Sequence, residues 1–234
     1  MGLATLLTVL VFAAPFASAA GITTMTAPYT GWSSTSTTSV SSSGCAAGHQ
    51  AVAPTWSSTT GMFNYAGRAD ATSCASSYNY ASIYGSTSIT SAGFGGTHAG
   101  PSYIYLLWNM SLNARAALTF TPGGTFSYAS VYLSGASYTY LLDVTNGSTS
   151  YITTSTNTLF GASFTSTGLY VLQTGWITSY QYLTAHLLKG HVYELQITIY
   201  VTGFVSIYGG TGSGSVVAGL GGTHGLSLTS VTVY

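Results

Sequence analysis

Three carboxylates, five histidines and an abundance of serine are the residues of this chain that could do acid–base or nucleophilic chemistry. The carboxylates are Asp70, Asp143 and Glu194. Glycoside hydrolysis needs two of them across a cleft, and a Ser-His-Asp arrangement needs one beside an imidazole. Serine is too frequent for its presence to inform, and no Gly-x-Ser-x-Gly follows a strand-like run. His98 and His224 close two Gly-Gly-Thr-His segments and could meet as metal ligands, but zinc takes three or four protein ligands. His186 and His191 would fall on opposite faces of any strand. The plainer reading of Gly-Gly-Thr-His is a turn leading into a strand. No catalytic residue, metal or cofactor is expected.

Glu194 and Gln196 lie two apart on one polar strand face. A glutamate–glutamine pairing resembles the acid glutamic peptidases, β-sandwich proteins that work at low pH. In that family the two residues sit on separate strands, and the rest of its pattern is absent. An acid hydrolase is therefore the third-ranked reading, and a solvated strand face the first.

Tyrosine, at 19 residues, offers binding rather than catalysis. Tyr103 and Tyr105 share a face by alternation, as do Phe126, Tyr128 and Tyr132, and Tyr138 and Tyr140. Such rows suit cross-strand aromatic pairing, a protein contact, or stacking against a sugar. Sequons at Asn109-Met110-Ser111 and Asn146-Gly147-Ser148 mark Asn109 and Asn146 as candidate glycosylation sites. Cys45 and Cys74 are expected to form one structural disulfide.

Only 3% of the 234 residues are charged and the formal net charge is zero, against about 25% charged in ordinary domains. There is no basic stripe to neutralise phosphates, which argues against nucleic acid and anionic lipid as partners. Acid denaturation protonates paired carboxylates, and this chain has almost none to lose. Residues 1–19 read as a secretory signal: an apolar run from Leu3 to Ala13, Pro15, then Ala17-Ser18-Ala19. That run is shorter than the roughly 20 residues a spanning helix needs, and no other segment could be one. An extracellular or cell-surface location follows as the expectation.

The elements that must position these groups are strands. From Ile104 to Leu112 every second residue is apolar, and from Tyr193 to Val201 the same holds. Further strands are expected at 116–121, 126–134, 138–144, 169–174, 204–208 and 226–234. In the last, the apolar phase flips between Leu228 and Val231, as at a bulge. Pro122-Gly123-Gly124 and Asn146-Gly147 read as hairpin turns. Residues 181–189 carry the chain's one weak helical pattern. Ser82-Ile83-Tyr84-Gly85 recurs at Ser206–Gly209, and Ala92–His98 recurs as Ala218–His224. That echo allows two tandem β domains split near residue 113, or paired corners of one sandwich. One domain over residues 20–234, an antiparallel jelly-roll-like β-sandwich, is the favoured reading.

Three segments resemble a known set of proteins. They are Cys45 … Pro54-Thr55-Trp56-Ser57 … Thr60-Gly61 … Cys74, then Leu188–Tyr193, then Leu226–Val233. They resemble exported Ser/Thr/Tyr-rich all-β surface proteins of thermoacidophilic archaea, largely without assigned function. The resemblance implies a hot, acidic, extracellular setting and carries no catalytic residue. Archaeal threads and bundling pili share this composition and assemble by donating a β-strand. The leading expectation is thus a non-enzymatic structural protein that forms homo-oligomers or filaments, with Gly21–Tyr29 as donor ahead of a flexible Ser/Thr stretch. The alternative is a carbohydrate-binding or adhesive module using exposed tyrosines.

Overall fold

The computed structural model describes residues 23–74, 78–95, 100–220 and 224–234; the signal-like segment 1–19 and His98 lie outside them. Its strands are β1 (Thr23–Thr26), β2 (Ser33–Ser43), β3 (Ala47–Ser57), β4 (Met62–Thr72), β5 (Asn79–Thr90), β6 (Phe94–Gly95), β7 (Gly100–Ser111) and β8 (Asn113–Pro122). They continue as β9 (Tyr128–Asp143), β10 (Ser150–Phe164), β11 (Gly168–Gln173), β12 (Ile177–Leu187), β13 (Val192–Tyr208), β14 (Gly210–Leu220) and β15 (Gly225–Val233). Two antiparallel sheets result. The larger runs β11-β8-β14-β4-β15-β7-β12, with β3 added on β4 and β1 on β15. The smaller runs β10-β9-β13-β5-β2, with β6 beside β13. The protein is an all-β antiparallel sandwich.

Alternation explains the core. Leu195, Ile197, Ile199 and Val201 of β13 and Ile104, Leu106 and Trp108 of β7 are buried between the sheets, while Glu194, Gln196, Thr198 and Tyr200 face outward. Burying each such aliphatic side chain stabilises the fold by about 1.5–3 kcal/mol. The phase flip in the last strand is a bulge, with the β15–β7 register slipping between Leu228 and Ser230. The Asn146-Gly147 hairpin joins β9 to β10, with Asn146 at φ 58° and Gly147 at φ 75°. Cys45 and Cys74 are disulfide-bonded, tying the β2–β3 turn to the segment after β4.

Several expectations are corrected. The strands expected at 126–134 and 138–144 are one, β9, which begins at Tyr128 and ends at Asp143, and the alternating run Tyr193–Val201 and the segment 204–208 are both parts of β13. The intervening Gly135 and Gly203 do not turn the chain. They stay in the ladder, and their missing side chains leave room for the Phe160 ring and for Val216. Pro122-Gly123-Gly124 is not a hairpin: it carries the chain from β8 in the larger sheet to β9 in the smaller. There the Gly123 amide donates to Gly209 O at 3.2 Å, beside the return crossing from β13 to β14.

Residues 181–187 are strand, not helix. Gln181, Leu183, Ala185 and Leu187 point inward and β12 pairs with β7 along its whole length. Gln181, 3% exposed, accepts from Trp108 Nε1 at 3.3 Å and donates to Ser155 O at 3.0 Å. One buried amide thereby bridges the two sheets with its polar atoms satisfied.

The Ser/Thr stretch is ordered as β2 by its ladder with β5 and by hydroxyl pairs such as Ser36–Thr87 (2.8 Å) and Ser41–Ser82 (2.9 Å). Gly21 and Ile22 of the expected donor lie outside the described residues, and its Thr23–Thr26 part is held by its own chain, where β1 pairs with Ser230–Val233 of β15. Tyr29, 2% exposed, donates to Leu228 O at 2.9 Å and packs against Trp32 and Trp56. The sequence echo is not a symmetry of the fold. Ser82–Gly85 and Ser206–Tyr208 lie in β5 and β13 of the smaller sheet, but Phe94–Gly95 of the first copy stays in that sheet as β6 while Ala218–Leu220 of the second lies in β14 of the larger.

Candidate functional site

The three carboxylates are dispersed. Asp70 projects from β4 on the outer face of the larger sheet, where Arg68 Nε donates to its Oδ2 at 2.6 Å. Glu194 lies on the outer face of the smaller sheet, opposite Leu142 in the β13–β9 register. Gln196 follows on the same face of the same strand, with Tyr140 as its neighbour. Asp143 is one residue from Leu142 but belongs to the other face, opposite the buried Tyr193. Strand alternation thus separates the two carboxylates closest in register.

Asp143 does meet a histidine, a contact across 48 positions that sequence spacing gave no sign of. His191 Nδ1 lies 2.6 Å from its Oδ2, and Thr145 donates to its Oδ1 through both its amide (3.0 Å) and its hydroxyl. The amide of Val192 donates in turn to Thr145 Oγ1 at 3.0 Å. The Thr145 hydrogen bonds, with His191 after them, lower the Asp143 pKa to about 2. Both carboxylate oxygens are engaged in holding the end of β9 to the start of β13. The nearest hydroxyl bonds to the carboxylate instead of to His191, so the cluster is a latch without the nucleophile–base contact of a triad.

His224 places Nδ1 3.0 Å from the Ser111 hydroxyl, which also donates to Thr174 O at 2.9 Å. His186 is exposed on β12. Among the described residues, no three His, Cys, Asp or Glu side chains gather where they could hold a metal ion.

The tyrosines singled out by alternation lie on two outer faces. On the smaller sheet Tyr138 stacks on Tyr200 (centroids 5.4 Å, 10° between planes), while Tyr140 meets Tyr151 edge-on. Toward the other end, Phe204 lies between Tyr132 and Tyr80, and Tyr128 packs on Tyr208 and Tyr78. Tyr105 on the larger sheet contacts Tyr182 and Tyr234, with Tyr103 exposed beside them. Phe126 does not join the row with Tyr128 and Tyr132. It precedes β9 in the crossing segment and is 86% exposed. Asn146 stands exposed at the hairpin tip, whereas Asn109 is half-buried mid-sheet, between Thr178 and Ser227.

The edges of the smaller sheet are the other surface of note. β2 pairs only with β5, and β10 only with β9, among the described strands. Neither carries a charged residue, and all eleven residues of β2 are exposed.

No protein-family model matches this chain, and no curated protein matches it. Among solved structures it is similar to the enzymatically active domain of bacteriophage CBA120 tailspike protein 4, at 11% identity and a TM-score of 0.20. The alignment covers 79% of this chain and 19% of that one, so the chain spans about a fifth of the tailspike domain's length. What the fold itself defines is the class: a disulfide-linked antiparallel β-sandwich with aromatic outer faces. Among its described residues no helix is long and apolar enough to cross a membrane.

Proposed function

We propose that this is a non-enzymatic structural protein of the cell exterior that self-associates by continuing its smaller sheet from one copy into the next. The observation that carries this reading is β2. It is an eleven-residue outermost strand, in unbroken register with β5 and without charge, proline or bulge. Soluble proteins ordinarily guard such an edge with those devices, because its free amides and carbonyls are a template for another strand. The same sheet ends on its other side in β10, also uncharged. Joining β2 of one copy to β10 of the next is a head-to-tail contact, and head-to-tail contacts that do not close into rings build filaments.

Strand donation is the alternative form of the same assembly, and it requires β1 to leave β15 of its own chain for that of a neighbour. β2 needs no such exchange. The disulfide supports an oxidising compartment, and the dispersal of Asp70, Asp143 and Glu194 supports a protein without turnover.

The test places a lysine at Val40, which pairs with Ile83 on the inner side of the exposed edge and is itself 39% exposed. Inward-pointing edge charges block strand addition. Light scattering and negative-stain microscopy should show assemblies lengthening with concentration for the parent and monomers for Val40→Lys, with equal melting temperatures. A parent that stays monomeric, or a variant that assembles equally well, overturns the reading.

A further inference from the structure

The protein has three basic side chains, and two of them, Arg68 and Arg115, stand on either side of one trough. The trough runs along β14 on the outer face of the larger sheet. Its floor is low because the outward residues of β14 are Ser213, Ser215, Val217 and Gly219. Its banks are β4 and β8, which pair with β14 on its two sides. Val217 is the register partner of both Arg68 and Arg115, so the two guanidinium stems rise from one row across the sheet. Two inter-strand spacings place their backbones about 10 Å apart, close enough for both side chains to lean over the floor.

Around the arginines the wall is hydroxylated, with Thr72, Thr119, Ser213 and Ser215 lining a concavity of about 490 Å³. A second concavity of about 350 Å³ shares Arg68 and continues past Val217 to Gly219, lined there by Gln50 and Asn113. From Ser213 to Gly219 the trough is about 20 Å long.

We infer that this trough binds an acidic oligosaccharide, with Arg68 and Arg115 closing on a carboxylate or sulfate carried by one of its sugar units. Charge selects the acidic group. Asp70 engages Arg68 through Nε, which fixes the guanidinium plane on a side chain that stays 63% exposed. Arg115 has no ion-pair partner among the described residues. The site therefore carries one net positive charge, in a protein whose total is zero. Two cations matched to one anion suit a sparsely charged polymer and fall short of the serial phosphates of a nucleic acid.

Backbone accounting selects the saccharide. A peptide gains affinity from a free sheet edge, but β14 is paired on both sides and has no such edge to offer. A sugar chain needs side-chain hydroxyls, amides and guanidinium groups, and those are what the trough presents. The site is on the opposite sheet from the β2 edge, so the inference stands apart from the assembly proposed above.

Titration calorimetry at low salt tests it on the parent and on Arg115→Gln, Arg68→Gln and Ser215→Phe, the last filling the floor. The probes are an oligosaccharide carrying a single uronate, its neutral methyl ester, the same oligosaccharide carrying a single sulfate instead, and an Asp/Glu peptide. The expected result is binding of a charged saccharide, carboxylated or sulfated, no binding of the ester, and affinity lowered about ten- to a hundredfold in Arg115→Gln. Ser215→Phe should abolish binding with an unchanged melting temperature. Val40→Lys monomers should bind like the parent. Equal binding of the ester, equal affinity in Arg115→Gln, peptide binding as tight as saccharide binding, or no charged saccharide bound at millimolar concentration each overturn the assignment.

Discussion

Gly85→Ala should cost this protein more than any other single added methyl group in the smaller sheet. Tyr65 of β4 is 1% exposed, and its ring crosses the core into a slot made by two glycines. Gly67, two residues along the same strand, leaves space for the phenol: a Cβ there would sit 2.5 Å from the Tyr65 hydroxyl oxygen. Gly85 of β5, in the facing sheet, lies flat against the ring. A Cβ at Gly85 would collide with Cε2 and stand 2.6 Å from Cδ2 and 3.0 Å from Cζ. Carbon atoms pack at about 3.5–4 Å, so the ring must retreat by about 1 Å or the sheets must part. Overpacking of a closed core costs about 1–3 kcal/mol, and a rigid ring wedged from both sides puts this case near 3. For a chain of this length that is a fall of roughly 6–12 °C in melting temperature.

The same geometry supplies two controls. The Tyr65 hydroxyl is buried without a hydrogen-bond partner, so Tyr65→Phe should be neutral or stabilising by about 1 kcal/mol. Tyr65→Leu leaves room for a methyl group at position 85, so the double variant should be more stable than the sum of its parts by at least about 1 kcal/mol. Urea unfolding followed by tryptophan fluorescence reads all four variants against the parent. A loss below about 0.5 kcal/mol for Gly85→Ala, or strict additivity in the double variant, refutes the slot.

Replacing Cys45 and Cys74 by serine should cost about 3.5 kcal/mol from the loop of some thirty residues that the bond closes, read by the same unfolding experiment. Stability should be flat across most of the pH range and fall at both ends. The Thr145 and His191 hydrogen bonds hold the Asp143 pKa down to about 2 from its ordinary 3.8, so its contribution is complete above that range and disappears as pH drops toward 2. Tyr65 is pushed up to about 12 by burial, so stability declines as pH rises from 10 to 12. Thermal melts from pH 2 to 12 check both limbs, and Asp143→Asn should flatten the acid limb while leaving the alkaline one. Expressed in a glycosylating secretory host, the protein should carry sugar on the exposed Asn146 and not on half-buried Asn109; mass spectrometry of Asn146→Gln and Asn109→Gln decides.

Alternation in the sequence is a property of single strands, and it located what single strands decide. Ile104–Leu112 and Tyr193–Val201 have one apolar face each, so their burial could be read before any fold was known. The Leu228 bulge was legible for the same reason: a slipped phase has to be absorbed somewhere in the ladder. The Asn146-Gly147 turn and the cysteine pair carried their own local chemistry.

The misreadings share a cause, which is that pairing partners are not written locally. β2 is a strand because β5 lies beside it, and nothing in a run of serine and threonine announces that. Gln181 opens the one stretch with a weak helical pattern, yet it is a buried strand residue because Trp108 and Ser155 meet its amide from two different sheets. Gly135 and Gly203 resembled strand ends and are instead packing vacancies for rings and methyls on neighbouring strands. The two arginines show the same division. Their scarcity was plain from composition, since so bare a chain has little charge to place anywhere. Their meeting across β14 depended on Val217 pairing with residues 149 and 102 positions earlier, and a register of that kind exists only once the sheet has formed.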